Sequence, residues 1–192
     1  MEEYVVSSWL LPDYIFAAYM EVTPEFLKNI GVKALLIDID NTLAPYEQPL
    51  PDENIKAWFD SLKQNGISAT LVSNNGRERV ELFNSELGLP AFWKSGKPFA
   101  KNLKKAMADM GSDYSDTAML GDQLLTDAAA GKHIGLRTII VPPIRDKSNA
   151  FFRAKRAMEV AHIKKYVKLH GGDSRDICSF WLEKKYKKAK RG

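Results

Sequence analysis

The chain has 192 residues, 45% of them hydrophobic, and one cysteine, Cys178; this fits a single globular domain with a real core and excludes an internal disulfide framework. The acidic start (Glu2, Glu3) predicts no secretory leader, a lone thiol suits a reducing cytoplasmic setting, and no apolar run reaches the ~20 residues that span a bilayer. The net charge of +4 is uneven: residues 1–144 carry 13 Lys/Arg against 19 Asp/Glu (net −6), whereas residues 145–192 carry 15 against 5 (net +10), so an anionic partner is expected at the tail.

In chain order, residues 4–20 are rich in aromatic and bulky apolar side chains, including Trp9, Leu10, Tyr14, Phe16 and Tyr19. Pro12 is expected to open a helix there, docked on the core or at a membrane interface. Thr23 followed by Pro24 predicts the start of a second short helix, stopping near Gly31. Residues 1–31 are thus expected to form an N-terminal helical segment ahead of the main domain, expected over 32–145.

Ala34 to Ile37 is a short apolar run, as a strand buried on both faces would be, and it leads into Asp38-Ile39-Asp40-Asn41-Thr42. A helix follows over Asp52 to Asn65, with Ile55, Trp58, Phe59 and Leu62 as its core stripe. Ile67 to Val72 is a strand ending in Ser73-Asn74-Asn75-Gly76, and Arg77 to Leu87 is a helix. A brief apolar segment, Ala91 to Trp93, runs into Lys94-Ser95-Gly96-Lys97-Pro98, and Phe99 to Met110 is a helix. Asp116 to Leu120 is a strand leading into Gly121-Asp122 and on to Asp127, followed by a short helix (Thr126 to Lys132) and a strand (Arg137 to Val141). Strands alternating with helices in this way predict βαβ units around a parallel sheet, with five strands expected.

The polar groups fall at successive strand ends, where open parallel sheets bind ligands. Asp38 and Asp40 repel each other when desolvated, and a divalent cation relieves that repulsion. Each part suits phosphoryl transfer. Asp38 can attack phosphorus, and Asp40 can protonate the leaving oxygen and then deprotonate water. Ser73, with the amides beside it at Asn74, can bind the transferring oxygens, and Lys97 adds positive charge. Asp122 would complete a Mg²⁺ site with Asp38, to which Asp40 could also contribute. Asp127 and Thr42 would support these groups from behind.

These residues resemble the haloacid dehalogenase (HAD) superfamily of phosphohydrolases: DIDNT at 38–42, Ser73 in VSNN, Lys97 in GKP and GDQLLTD at 121–127, in that order. The resemblance implies a Rossmann-like three-layer α/β/α fold with Asp38 as nucleophile and Asp40 as acid/base. It also implies Mg²⁺ held by the side chains of Asp38 and Asp122 and by the backbone carbonyl of Asp40. Only 34 residues separate Asp40 from Asn75, and 23 separate Ser73 from Lys97. The cap domain that many superfamily members insert there has no room, so an open site is expected. LPDY at 11–14 and the TPEFL helix extend the likeness to the YqeG-like group of class IIIA, akin to mitochondrial phosphatidylglycerophosphate phosphatases. This implies a phosphate monoester substrate, phosphatidylglycerophosphate, at the inner face of a membrane. A soluble or protein-borne phosphate is the competing enzyme reading.

The tail, 146–192, is expected to hold a basic amphipathic helix over Ala150 to Leu169 and a basic end, KKYKKAKR at 184–191. An anionic membrane surface is the favoured partner for it. A nucleic-acid or ribosome-binding module over a vestigial site is the non-enzyme alternative. His133, His162 and His170 lack metal-ligand spacing, and Cys178 lies outside every motif.

Overall fold

The computed structural model describes residues 10–145 and 150–170; the basic end at 184–191, Cys178 and the first nine residues lie outside them. Six parallel strands form one sheet in the order β1-β6-β5-β2-β3-β4. The strands are β1 (Tyr14–Ile15), β2 (Ala34–Ile37), β3 (Ser68–Val72), β4 (Ala91–Phe92), β5 (Thr117–Gly121) and β6 (Arg137–Ile140). The helices are α1 (Pro24–Asn29), α2 (Glu53–Gln64), α3 (Arg77–Asn84), α4 (Lys101–Met110), α5 (Ala129–His133) and α6 (Ala150–His170).

Alternation along the strands builds the two faces. Leu35, Ile37, Leu71 and Leu120 face a core with Leu27 of α1, Ile55, Trp58, Phe59 and Leu62 of α2, and Val80 and Phe83 of α3. Leu36, Val72 and Met119 point the other way, onto Leu103, Ala106 and Met107 of α4 and Ala130 of α5. The result is a three-layer α/β/α sandwich in which β2, buried along its whole length, is central. Local signals set the helix starts as expected: Thr23 and Asp52 accept the N–H of Phe26 and Ile55 at 3.2 and 2.9 Å.

The N-terminal segment corrects two expectations. Pro12 does not open a helix; Tyr14 and Ile15 add a sixth strand beside Ile139 and Ile140 of β6. Asp13 explains why. Its carboxylate accepts the Thr138 N–H at 2.7 Å and pairs with Lys132 at 2.5 Å, so long-range partners outweigh the local helix signal and cover the edge of β6. Tyr14 and Phe16 then pack edge-on against Phe26, and Trp58 donates its indole N–H to the Val22 carbonyl at 3.1 Å. These contacts fasten residues 10–31 to the sandwich.

On the far side, Ile163, Tyr166 and Val167 of α6 close a third cluster with Leu124, Ala128 and Ile140. Lys164 and Lys168 of α6 are exposed. Among the described residues, no helix is long and apolar enough to cross a membrane.

Candidate active site

Strand order dictates where a site can form. The chain runs from β2 outward through β3 and β4, then returns to the other side of β2 for β5 and β6. The crevice at such a reversal lies beyond the carboxyl ends of β2 and β5. Asp38 leaves β2 there, its N–H donating to the Leu120 carbonyl at 2.9 Å, and Asp122 leaves β5 there, fully buried.

Lys97 joins these strand ends. Its ammonium donates to Asp38 Oδ1 and to the Val72 carbonyl oxygen, each at 2.7 Å, and forms an ion pair with Asp127 Oδ1 at 2.7 Å. The loop carrying Lys97 is clamped by Asn74, whose side chain bonds the Lys97 N–H, the Lys97 carbonyl and the Ser95 hydroxyl, each at 2.9 Å. The Asn74 side chain therefore serves this loop.

Asp127 comes from a wide helical turn, Leu124–Ala128, that starts two residues before the expected helix and continues into α5. The Gln123 N–H donates to Asp127 Oδ2 at 3.1 Å. Gly121 makes room for it. A Cβ at Gly121 would stand 2.3 Å from Asp127 Cγ, so no larger residue fits while Asp127 stays in place. Glu159 of α6, buried, accepts the Leu124 N–H at 3.0 Å and anchors the start of that turn.

Asp38, Asp122 and Asp127 each offer a carboxylate oxygen within 4.8 Å of the others. Ionised together, three carboxylates beside one lysine would leave two negative charges, and burial makes such charges expensive. Oxygen donors with that residual charge suit a hard divalent cation such as Mg²⁺. The donor set differs from the expected one in one respect. The Asp40 carboxylate is not among the three, while Asp127, expected only in support, lies close enough to join.

Burial pushes the Asp38 carboxyl up to about 7; Lys97 opposes the shift, and the Asp127 and Asp40 charges add to it. Burial also disfavours the Lys97 ammonium, but Asp127 and Asp38 outweigh it and hold the group charged, above the ordinary lysine range. The Thr42 hydroxyl donates to Asp38 Oδ2 at 3.3 Å.

The Asp40 carboxylate meets a different set of partners. Asn75 Nδ2 donates to Oδ2 at 2.6 Å, and Arg79 places Nε and a terminal nitrogen each 3.1 Å from Oδ1. Ser73 Oγ lies 3.5 Å from Oδ2 and accepts the Asn75 N–H at 3.0 Å. The chain turns after Asp40 through Asn41, whose φ of 66° is left-handed, a conformation asparagine tolerates. Asp38, Asp40, Ser73, Lys97, Asp122 and Asp127, four segments apart in sequence, thus share one cleft. Asn75, Arg79, Gly121 and Glu159 were not singled out from the sequence.

The family described as HAD-hydrolase-like matches residues 94–143. "Probable phosphatase YqeG" of Bacillus subtilis (strain 168) is 36% identical over 155 residues, covering 81% of this chain and 90% of that protein. "Phosphatidylglycerophosphate phosphatase 1, chloroplastic" of Chlamydomonas reinhardtii is 30% identical over 135 residues, covering 65% of this chain and half of that protein. Among solved structures, a candidate 3-deoxy-D-manno-octulosonate 8-phosphate phosphatase from Vibrio cholerae superposes with a TM-score of 0.50 at 14% identity, over 68% of this chain and 75% of that one; it shares the fold. Near-complete coverage of the Bacillus relative, with the strand-end motifs gathered as described, places this chain in the HAD superfamily of hydrolases, within its YqeG-like branch.

Proposed function

We propose that the protein is a Mg²⁺-dependent phosphatase that works through an aspartyl-phosphate on Asp38, and that its substrate is phosphatidylglycerophosphate at the cytoplasmic face of a membrane. The observation that carries the chemistry is the Lys97 ammonium bridging Asp38 and Asp127 beside buried Asp122. Asp38 and Asp122, with the Asp40 backbone carbonyl, would hold the cation, and Asp127 would support it or join it. When bound, Mg²⁺ would offset the charge of phosphate and carboxylates and so let the two approach.

The remaining work belongs to the chain's own residues. Lys97 orients Asp38 through a 2.7 Å contact and opposes the burial that favours its protonated form, and its charge faces the incoming phosphoryl group. Asp38 attacks phosphorus. The ester P–O bond breaks, and Asp40 gives a proton to the departing oxygen. Asp40 then takes a proton from water, whose oxygen attacks the phospho-carboxylate and returns Asp38 to its starting state. Ser73 and the Asn74 amide bind the phosphoryl oxygens. Stabilising such a transition state depends on charges already in place, and this cleft fixes them on strand ends before substrate arrives.

The lipid assignment rests on three supports. One is the likeness to the Chlamydomonas protein. The second is that α2 with β3 and α3 with β4 take up the intervals after Asp40 and Ser73, as the expected uncapped site, open to a headgroup held in a bilayer, requires. The third is the exposure of Tyr46, Trp93, Phe99 and Ile144 on strand-end loops, with Lys164 and Lys168 on α6, all suited to an anionic interface.

The test is phosphate release from phosphatidylglycerophosphate in vesicles, compared with its water-soluble headgroup. Activity lost with EDTA and in Asp38→Asn supports the chemistry, and preference for the vesicle supports the lipid. Equal turnover of the soluble ester removes the lipid assignment, and steep salt-dependent RNA binding without hydrolysis favours the binding module.

A further inference from the structure

We propose that Arg79, together with Asn75, is a positioning residue for Asp40: the pair fixes the carboxyl group that moves the proton. This rests on the acid/base reading of Asp40.

Asp40 lies on the loop leaving β2, with its side chain partly open to solvent. Left alone, a carboxylate there would rotate freely, and a proton donor off by 1 Å loses most of its effect. Both of its oxygens are instead engaged from α3 and the turn before it. Asn75 donates to Oδ2 at 2.6 Å, and Arg79 donates its Nε–H to Oδ1 at 3.1 Å, with Nη2 at the same distance as an ion-pair contact. Arg79 is itself anchored. Its third nitrogen donates to the Pro49 carbonyl at 3.2 Å, and its guanidinium lies 5.1 Å from the Phe83 ring and 6.0 Å from the Tyr46 ring. The side chain is only 13% exposed. A guanidinium with its Nε–H on a carboxylate, another N–H on a carbonyl and its faces beside two rings is committed to orienting that carboxylate, not to capturing substrate.

The chemistry defines a readout that a purely structural arginine would not move. In the first step the ester P–O bond breaks, its electron pair goes to the alkoxide oxygen, and the Asp40 proton follows it. An alkyl phosphate needs that proton. 4-Nitrophenyl phosphate does not, because its phenolate leaves unassisted.

Arg79→Met and Asn75→Ala are therefore expected to lower kcat/KM for an alkyl phosphate such as glycerol 3-phosphate by ~10–100-fold, within the range of misplaced general-acid catalysis, while 4-nitrophenyl phosphate changes by less than ~3-fold. Arg79→Lys, which keeps charge without the fork, falls between. In an Asp40→Asn background, Arg79→Met costs nothing further, because the group it positions can no longer carry the proton.

Equal losses on both substrates, or additive losses in the double variant, overturn the inference. Asp40→Asn separates the two levels of reasoning. If it shows the leaving-group dependence and the Arg79 variants do not, the positioning role fails and Asp40 keeps its own. If Asp40→Asn is indifferent to the leaving group, the acid/base assignment falls and the positioning role with it. Should Arg79→Met not fold, Arg79→Lys and Asn75→Ala decide the matter by the same ratio.

Discussion

Lys97→Met tests whether the ammonium at the centre of the cleft organises it. Methionine keeps most of the aliphatic stem and removes only the charge and its three protons. At 2.7 Å, each contact to Asp38 and Asp127 represents about 6 kcal/mol of gross attraction at an effective dielectric of 20, before desolvation is set against it. Removing one partner of a buried ion pair costs about 3–5 kcal/mol, because the remaining charge stays buried without its counterpart. Here two carboxylates are stranded together, so a loss of about 4 kcal/mol is expected at pH 8 in EDTA. The measurement is urea unfolding followed by tryptophan fluorescence, at pH 8 and pH 5. At pH 5 Asp38, already raised to about 7 with Lys97 present, takes up a proton, and the penalty shrinks. Mg²⁺ at pH 8 is expected to narrow the gap as well. A loss below about 1 kcal/mol at pH 8, or the same loss at both pH values, would refute the placement of these charges.

Wild-type stability in EDTA is expected to fall as pH rises. Between the ordinary carboxylate value and about 7 the folded chain keeps on Asp38 a proton that the unfolded chain has released, so stability is greatest at the acid end. The slope from this group is at most about 1.4 kcal/mol per pH unit, and Asp38→Asn should remove it in the same urea titrations. Gly121→Ala puts a methyl 2.3 Å from Asp127 Cγ and must displace that carboxylate. Phosphate release should drop by at least ~100-fold while far-UV circular dichroism is retained, and a near-wild-type rate would contradict the packing. Thr70→Val removes a fully buried hydroxyl that has no hydrogen-bond partner among the described residues. It should stabilise by about 1 kcal/mol, and a lower melting temperature would show that the hydroxyl is satisfied after all.

What the sequence could reveal followed from how local each cause is. Asp38, Ser73 and Asp122 stand directly after apolar strands and Lys97 five residues beyond another, and a parallel sheet brings strand ends together. Those positions were legible for that reason. The sixth strand was not. Tyr14 and Ile15 sit behind a proline that resembles a helix start, and Thr138, Lys132 and Tyr166, more than a hundred residues away, hold Asp13 in extended chain. A long-range carboxylate clamp has no sequence period.

Arg79 shows the same limit inside the site. It stands in the run Arg77-Glu78-Arg79, where alternating charges at the start of a helix are usually a solvated face, and nothing local separates the two arginines. The helical advance of about 100° per residue does. Two residues turn α3 far enough that Arg77 covers the Trp93 ring and pairs with Glu81, while Arg79 turns under Tyr46 to Asp40. Whether a given arginine meets a carboxylate across the cleft depends on how β2 and α3 dock, which Ile37, Val80 and Phe83 decide from within the core. The catalytic groups can therefore be read from motifs at strand ends. The side chains that aim them become visible only when the packing beneath fixes the rotation of the helix that carries them.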